Sequence, residues 1–198
     1  MALIFLLIFM LLFSIFYGIS VLPESLSKKM PLQSYRVCGM IRKVSFAFLF
    51  LFTILQIFFV FFLNENNQRF FPGFGWIWSV MIGLVMAVPA TWIMNAATQA
   101  AKKEPYAPDK DTKMYGGIYS AMRHPQAVGD VLYWFVLVFL LNSKTLFQIN
   151  LLWIPLNIAI AFIEEYDLKK RFGDEYRTYM KGTNMFIPVK FLGKIGGR

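Results

Sequence analysis

Two short stretches of the 198-residue chain hold the side chains best suited to chemistry. The first reads Tyr115-Gly116-Gly117-Ile118-Tyr119-Ser120-Ala121-Met122-Arg123-His124-Pro125 and leads through Gly129 to Asp130. Proline suits the first turn of a helix, where its missing N–H has no partner to lose, so Pro125 predicts a helix start. The free N–H groups there, beside Arg123 and His124, make a site for an anion. Gly116 and Gly117 permit a tight backbone path close to a ligand. A basic flank of a membrane helix, with turn glycines, shows the same residues.

The second stretch reads Glu164-Glu165-Tyr166-Asp167-Leu168-Lys169-Lys170-Arg171-Phe172-Gly173. Adjacent carboxylates on a helix point about 100° apart, so one faces a pocket while the other meets solvent or a basic loop. Glu165 with Lys169, and Asp167 with Arg171, have the i,i+4 spacing of surface pairs. Gly173 predicts a C-cap, and Asp174 opens a further short helix carrying Tyr176 and Tyr179. An interfacial amphipathic helix has this composition too, but it does not account for two acids at the lipid boundary beside an anionic leaflet.

Other chemistries fail on counting. The only histidine is His124 and the only cysteine is Cys38, which excludes His-rich and Cys-based metal modules and an internal disulfide framework. Gly73-Phe74-Gly75 begins like a dinucleotide loop but has Trp78 at the third glycine position and follows no strand. Asp130 lies only about 7.5 Å of helical rise past Pro125, within snorkelling reach of the surface.

The elements that carry these stretches are set by composition. Of the residues, 58% are apolar and 16% charged, with 22 phenylalanines, too many for one small soluble core. Five apolar stretches approach the roughly 20 residues that span a bilayer: 1–22, 44–63, 76–98, 125–142 and 146–163. Lipid cannot satisfy an open backbone, so these are expected to be helices, giving an all-α polytopic membrane protein with a helical segment after the last span. The first stretch has no basic flank before it and no small-residue cleavage site, so it reads as a retained span. No repeat or linker divides the chain, and 1–198 reads as a single domain.

The net charge of +9 sorts by loop, which points to topology and not to nucleic acid. Lys28, Lys29, Arg36, Arg42 and Lys43 precede the second span, and Lys102, Lys103, Lys110, Lys113 and Arg123 precede the fourth. Lys169, Lys170, Arg171, Arg177, Lys181, Lys190, Lys194 and Arg198 follow the fifth. Only Arg69 and Lys144 fall on the other face. The positive-inside rule then puts the N-terminus outside, and the two large loops, the C-terminus and any active site in the cytosol.

Together the two stretches resemble the C-terminal signature of the integral-membrane isoprenylcysteine carboxyl methyltransferases and the related phospholipid methyltransferases. The resemblance rests on Gly117-Ile118-Tyr119, Arg123-His124-Pro125 and Gly129, then Glu164-Glu165 with Leu168, Phe172-Gly173, Tyr176, Tyr179 and Ile187-Pro188. It implies S-adenosylmethionine held without a Rossmann domain, between segments 104–130 and 164–188. Lys113, Met114, Gly117, Tyr119, His124, Pro125 and Ala127 would surround it, and Glu164 would meet it from the other side. Arg123 and Glu165 would serve catalysis. The implied acceptor is a lipophilic prenylcysteine, whose carboxylate is already ionised near neutral pH and attacks the methyl directly.

Two positions depart from the family. Ala127 stands where members usually carry Tyr, and Ile160 stands where the eukaryotic enzymes place the Arg that meets the substrate carboxylate. The carboxylate must then find Arg123 or another group. Methylation of a phospholipid amine is the nearest alternative, with Glu165 as the base it would need. An NADPH-dependent sterol-type reductase, which shares Arg-His-Pro-x-x-x-Gly-Asp, and a non-catalytic membrane scaffold are further ones.

Overall fold

Long apolar stretches that must satisfy their own backbone groups become helices, and a computed structural model, describing residues 2–62 and 69–188, contains seven. They are α1 (Ala2–Ser20), α2 (Pro23–Ser27), α3 (Ser34–Phe62), α4 (Trp76–Ala101), α5 (Pro125–Leu140), α6 (Lys144–Asn150) and α7 (Trp153–Gly182). Four helical stretches are long and apolar enough to cross a membrane: Leu3–Ser20, Ser34–Phe62, Gly73–Ala101 and Lys144–Gly182. The shorter apolar α5 has 16 residues, which rise about 24 Å. Met1, Leu63, Lys190, Lys194 and Arg198, which mark span ends or enter the charge count, lie outside the described residues.

Two expected boundaries move, each for a local reason. The second span was expected from 44, but α3 begins at Ser34 and takes Arg36, Arg42 and Lys43 into its first turns. Arg42 is buried there. Its Nε donates to Ser20 Oγ at 3.2 Å, Nη2 to Ser20 O at 3.0 Å and Nη1 to Glu104 O at 2.6 Å. A charge that reads as loop is therefore an internal tie between α1, α3 and the loop after α4. The expected 146–163 span is divided: α6 ends at Asn150 and α7 starts at Trp153, with Pro155 in its first turn, where a missing N–H is harmless. Gly173 does interrupt α7 as expected, at φ +58°.

α1 packs along α3 and α4 along α5, while α7 touches α1, α2 and α5. The joint core is aromatic: Trp134 and Trp153 stack at 5.2 Å, and Phe52 meets both edge-on. A Cβ at Gly129 would lie 3.2 Å from Met94 of α4, so this motif glycine lets α4 and α5 close on each other.

The expected surface pairs of Glu165 with Lys169 and of Asp167 with Arg171 do not form among the described residues. Asp167 is 1% exposed and turns to α2, accepting from Ser25 N at 2.6 Å and Glu24 N at 3.0 Å. These N–H groups open a five-residue helix with no side-chain cap of its own. Asp167→Ala is expected to cost about 2–3 kcal/mol, the range for hydrogen bonds to a buried charge, read as a lower Tm in detergent.

Candidate functional site

The loop after α4 is held before it reaches the site. Glu104 is buried and pairs with Arg171 of α7 (Nη1 to Oε1, 2.8 Å), while its Oε2 accepts from Asp109 N at 3.0 Å. Arg171 also donates to the carbonyls of Lys110 and Thr112. The chain then turns at Gly117, whose φ of +59° favours glycine and whose added Cβ would sit 3.2 Å from Ala100. Beyond the turn, Arg123 N donates to Asn184 O at 2.8 Å and His124 N to Met185 O at 3.0 Å. The residues before α5 are thus strapped to those after α7, and Pro125 starts α5 as its position predicts.

This strapping assembles the charged centre. Arg123 Nε donates to Glu165 Oε1 at 2.7 Å, and Nη1 reaches the carbonyls of Met180 and Thr183. His124 lies between two carboxylates, with Nε2 3.2 Å from Glu165 Oε1 and Nδ1 3.3 Å from Glu164 Oε2. The side chains of Glu165, His124 and Arg123 are 3%, 6% and 10% exposed, that of Glu164 28%. The two acids divide their work as their helical angle requires. Glu165 locks into the protein, and Glu164 opens to a cavity.

Burial disfavours the charged imidazole, but hydrogen bonds to Glu164 and Glu165 outweigh it and push the His124 pKa up to about 9. A histidine with a folded pKa above its unfolded value of about 6.5 adds stability that is complete below that value. That contribution is lost as pH rises through about 9. Tm is therefore expected to fall between pH 7 and 9.5 in wild type, and less in His124→Gln, by thermal unfolding across that range.

The cavity, about 340 Å³, is walled by α1, α3, α4, the loop, α5 and α7, within the size of small-molecule sites. The end of the cavity beside the loop is aromatic: the Tyr115 ring lies 4.6 Å from Tyr179 and 6.4 Å from Tyr176, and Tyr179 Oη donates to Tyr119 O at 2.5 Å. Met114, Tyr119, Arg123, His124, Ala127 and Glu164 line it. Glu165 stands behind the wall. Gly117 and Pro125 shape the backbone without lining it, and Lys113 is drawn away to the surface, paired with Glu175 at 2.7 Å.

Asp130 does not snorkel outward. It lines the cavity, where Asn157 Nδ2 faces its Oδ2 at 3.4 Å. Polar residues inside a span are the usual mark of function, and this was the available signal for Asn157. Phe13, Tyr17, Phe46, Leu49, Met94 and Thr98 also line the cavity. With apolar residues on all sides of these helices, nothing in the spacing separates their face from the lipid face.

Residues 75–175 match the family model described as phospholipid methyltransferase, an interval that runs from α4 to the part of α7 carrying Glu164 and Glu165. No curated protein and no solved structure matches the chain.

Proposed function

Because the chain belongs to the phospholipid methyltransferase family, we propose that it methylates a bilayer-borne acceptor with S-adenosylmethionine, at the cytosolic face of the membrane. The loop charges support this orientation, and α5, counted as a crossing, gives the odd number of spans it requires. The cavity fits the cofactor chemically. Tyr115, Tyr176 and Tyr179 offer faces for an adenine, and Glu164 offers a carboxylate to ribose hydroxyls or an ammonium. Gln126 and Ala127 bring the first turn of α5, with its unpartnered N–H groups, to the wall. When bound, S-adenosylmethionine supplies an electrophilic methyl on a sulfonium. The protein's share is to orient the two ligands and keep out water.

The acceptor that the cavity's charge supports best is a phospholipid amine. The observation that carries this is the state of the lining charges. Arg123, the one lining guanidinium, is already paired with Glu165, and Glu164 is paired with His124, whereas Asp130 faces the cavity with no ion pair among the described residues. Ile160, also on the wall, adds no counter-ion. Glu165, expected as the base for an amine, is locked by Arg123 and His124 and does not line the cavity. A prenylcysteine carboxylate is the second reading. It is favoured by Arg123 Nη2, which has no hydrogen-bond partner among the described residues.

The test is the chemistry of the product. Purified protein with methyl-labelled S-adenosylmethionine and membrane lipids is expected to give a base-stable labelled lipid. A base-labile methyl ester on a prenylcysteine substrate would instead establish the carboxyl reading.

A further inference from the structure

The amine reading leaves a proton without a destination, since an ammonium must lose one before its nitrogen can take a methyl. Glu165 is occupied, and Glu164 holds His124. A second apolar space bears on this. A groove of about 370 Å³ runs between α3 and α5, lined by Leu49, Thr53, Tyr133, Leu137 and Leu140 among others. Tyr133 and Leu140 are each more than a third exposed, so the groove opens toward the surroundings of two apolar helices, where the solvent is lipid chains. Leu49 and Asp130 line both the groove and the inner cavity. Asp130 is thus the charged residue shared by the two spaces. No lysine lines either one, and Arg123 touches only the inner cavity.

We infer that Asp130 recognises the acceptor, with the lipid chain in the α3–α5 groove and the ammonium headgroup turned inward to its carboxylate. This rests on the amine reading above. A carboxylate in an apolar span is costly unless it meets a cation or a polar partner, and here its polar neighbours are neutral, the Asn157 amide at a long 3.4 Å and the Trp134 indole. An ammonium entering from the groove supplies the cation. In the reaction the N–H bond breaks and an O–H bond forms on Asp130. The freed nitrogen pair bonds the methyl carbon as the C–S bond of the sulfonium breaks, its electrons returning to sulfur. The proton then leaves Asp130 through the polar end of the cavity to cytosolic water.

The experiment uses full-length protein in phosphatidylglycerol nanodiscs carrying dioleoylphosphatidylethanolamine. Asp130→Asn is expected to lower kcat/KM for methyl incorporation about 100-fold or more, the scale of a lost general base. It should leave S-adenosylhomocysteine affinity within about two-fold, since binding and chemistry separate in such a variant. Asp130→Glu should restore part of the rate. Thr53→Trp, which fills the groove, should raise KM for the dioleoyl lipid about ten-fold more than for a dihexanoyl one, the scale of a few lost methylene contacts. Wild-type kcat/KM in Asp130→Asn with intact S-adenosylhomocysteine binding overturns the assignment and leaves the amine reading standing. Equal KM changes for long and short chains in Thr53→Trp overturn the groove. Label found only in a base-labile ester overturns the amine reading and the assignment together.

Discussion

Replacing Glu165 with alanine is expected to cost about 3–5 kcal/mol, the penalty for leaving a buried charge without its partner. The side chain is 3% exposed and its Oε1 meets both Arg123 Nε and His124 Nε2. Without it, a guanidinium and an imidazolium remain side by side in a dry interior, held only by carbonyls and Glu164. The same contacts strap α5 to α7 and to the residues after α7, so the loss should spread to this whole end of the helix bundle. Thermal unfolding in detergent reads the effect. Arg123→Ala should cost a similar amount, and the double variant less than the sum of the two, because either single change already breaks the pair. Additive costs, or a loss below about 1 kcal/mol of the kind typical of exposed pairs, would make the cluster a surface feature.

Glu164 is expected to behave in the opposite way. Its side chain is 28% exposed, faces the cavity and is bound to His124, which keeps Glu165 as a second partner. Glu164→Ala should therefore leave folding largely intact. S-adenosylhomocysteine affinity should drop about ten- to hundred-fold, the range for a lost hydrogen bond to a charged group. Titration calorimetry on the folded variant measures this. Unchanged affinity removes Glu164 from the cofactor site. Neighbours in sequence, the two glutamates are thus expected to separate a structural charge from a binding one.

Much of this division was legible from the residues alone. Two acids about 100° apart at the end of an apolar helix, with Arg-His-Pro some forty positions earlier, already implied one inward and one occupied carboxylate. The helical turn, however, assigned Glu165 and Asp167 to surface lysine and arginine pairs. It could not show that Arg123 and α2 compete for them, because both are distant in sequence. Arg42 was hidden for the same reason. A basic residue before a span normally marks a cytosolic loop, and only the packing of α1 against α3 shows it buried beside Ser20 and Glu104. The start of α6 turns on Ser143 as its N-cap, through Leu146 N to its Oγ at 3.2 Å, and the break before α7 falls just ahead of Pro155, both inside a hydrophobic pattern that runs straight across them. The cavity wall from α1 and α3 was invisible, since the lining residues Phe13, Tyr17, Phe46 and Leu49 sit among apolar neighbours on all sides of those helices.

S-adenosylmethionine is expected in the cavity that α5, α7 and the loop before α5 help to wall. The most direct measurement is thermal unfolding of the purified protein in detergent, with S-adenosylhomocysteine and NADPH titrated separately. A saturable rise in Tm with S-adenosylhomocysteine and none with NADPH is the predicted result; stabilisation by NADPH alone would contradict it.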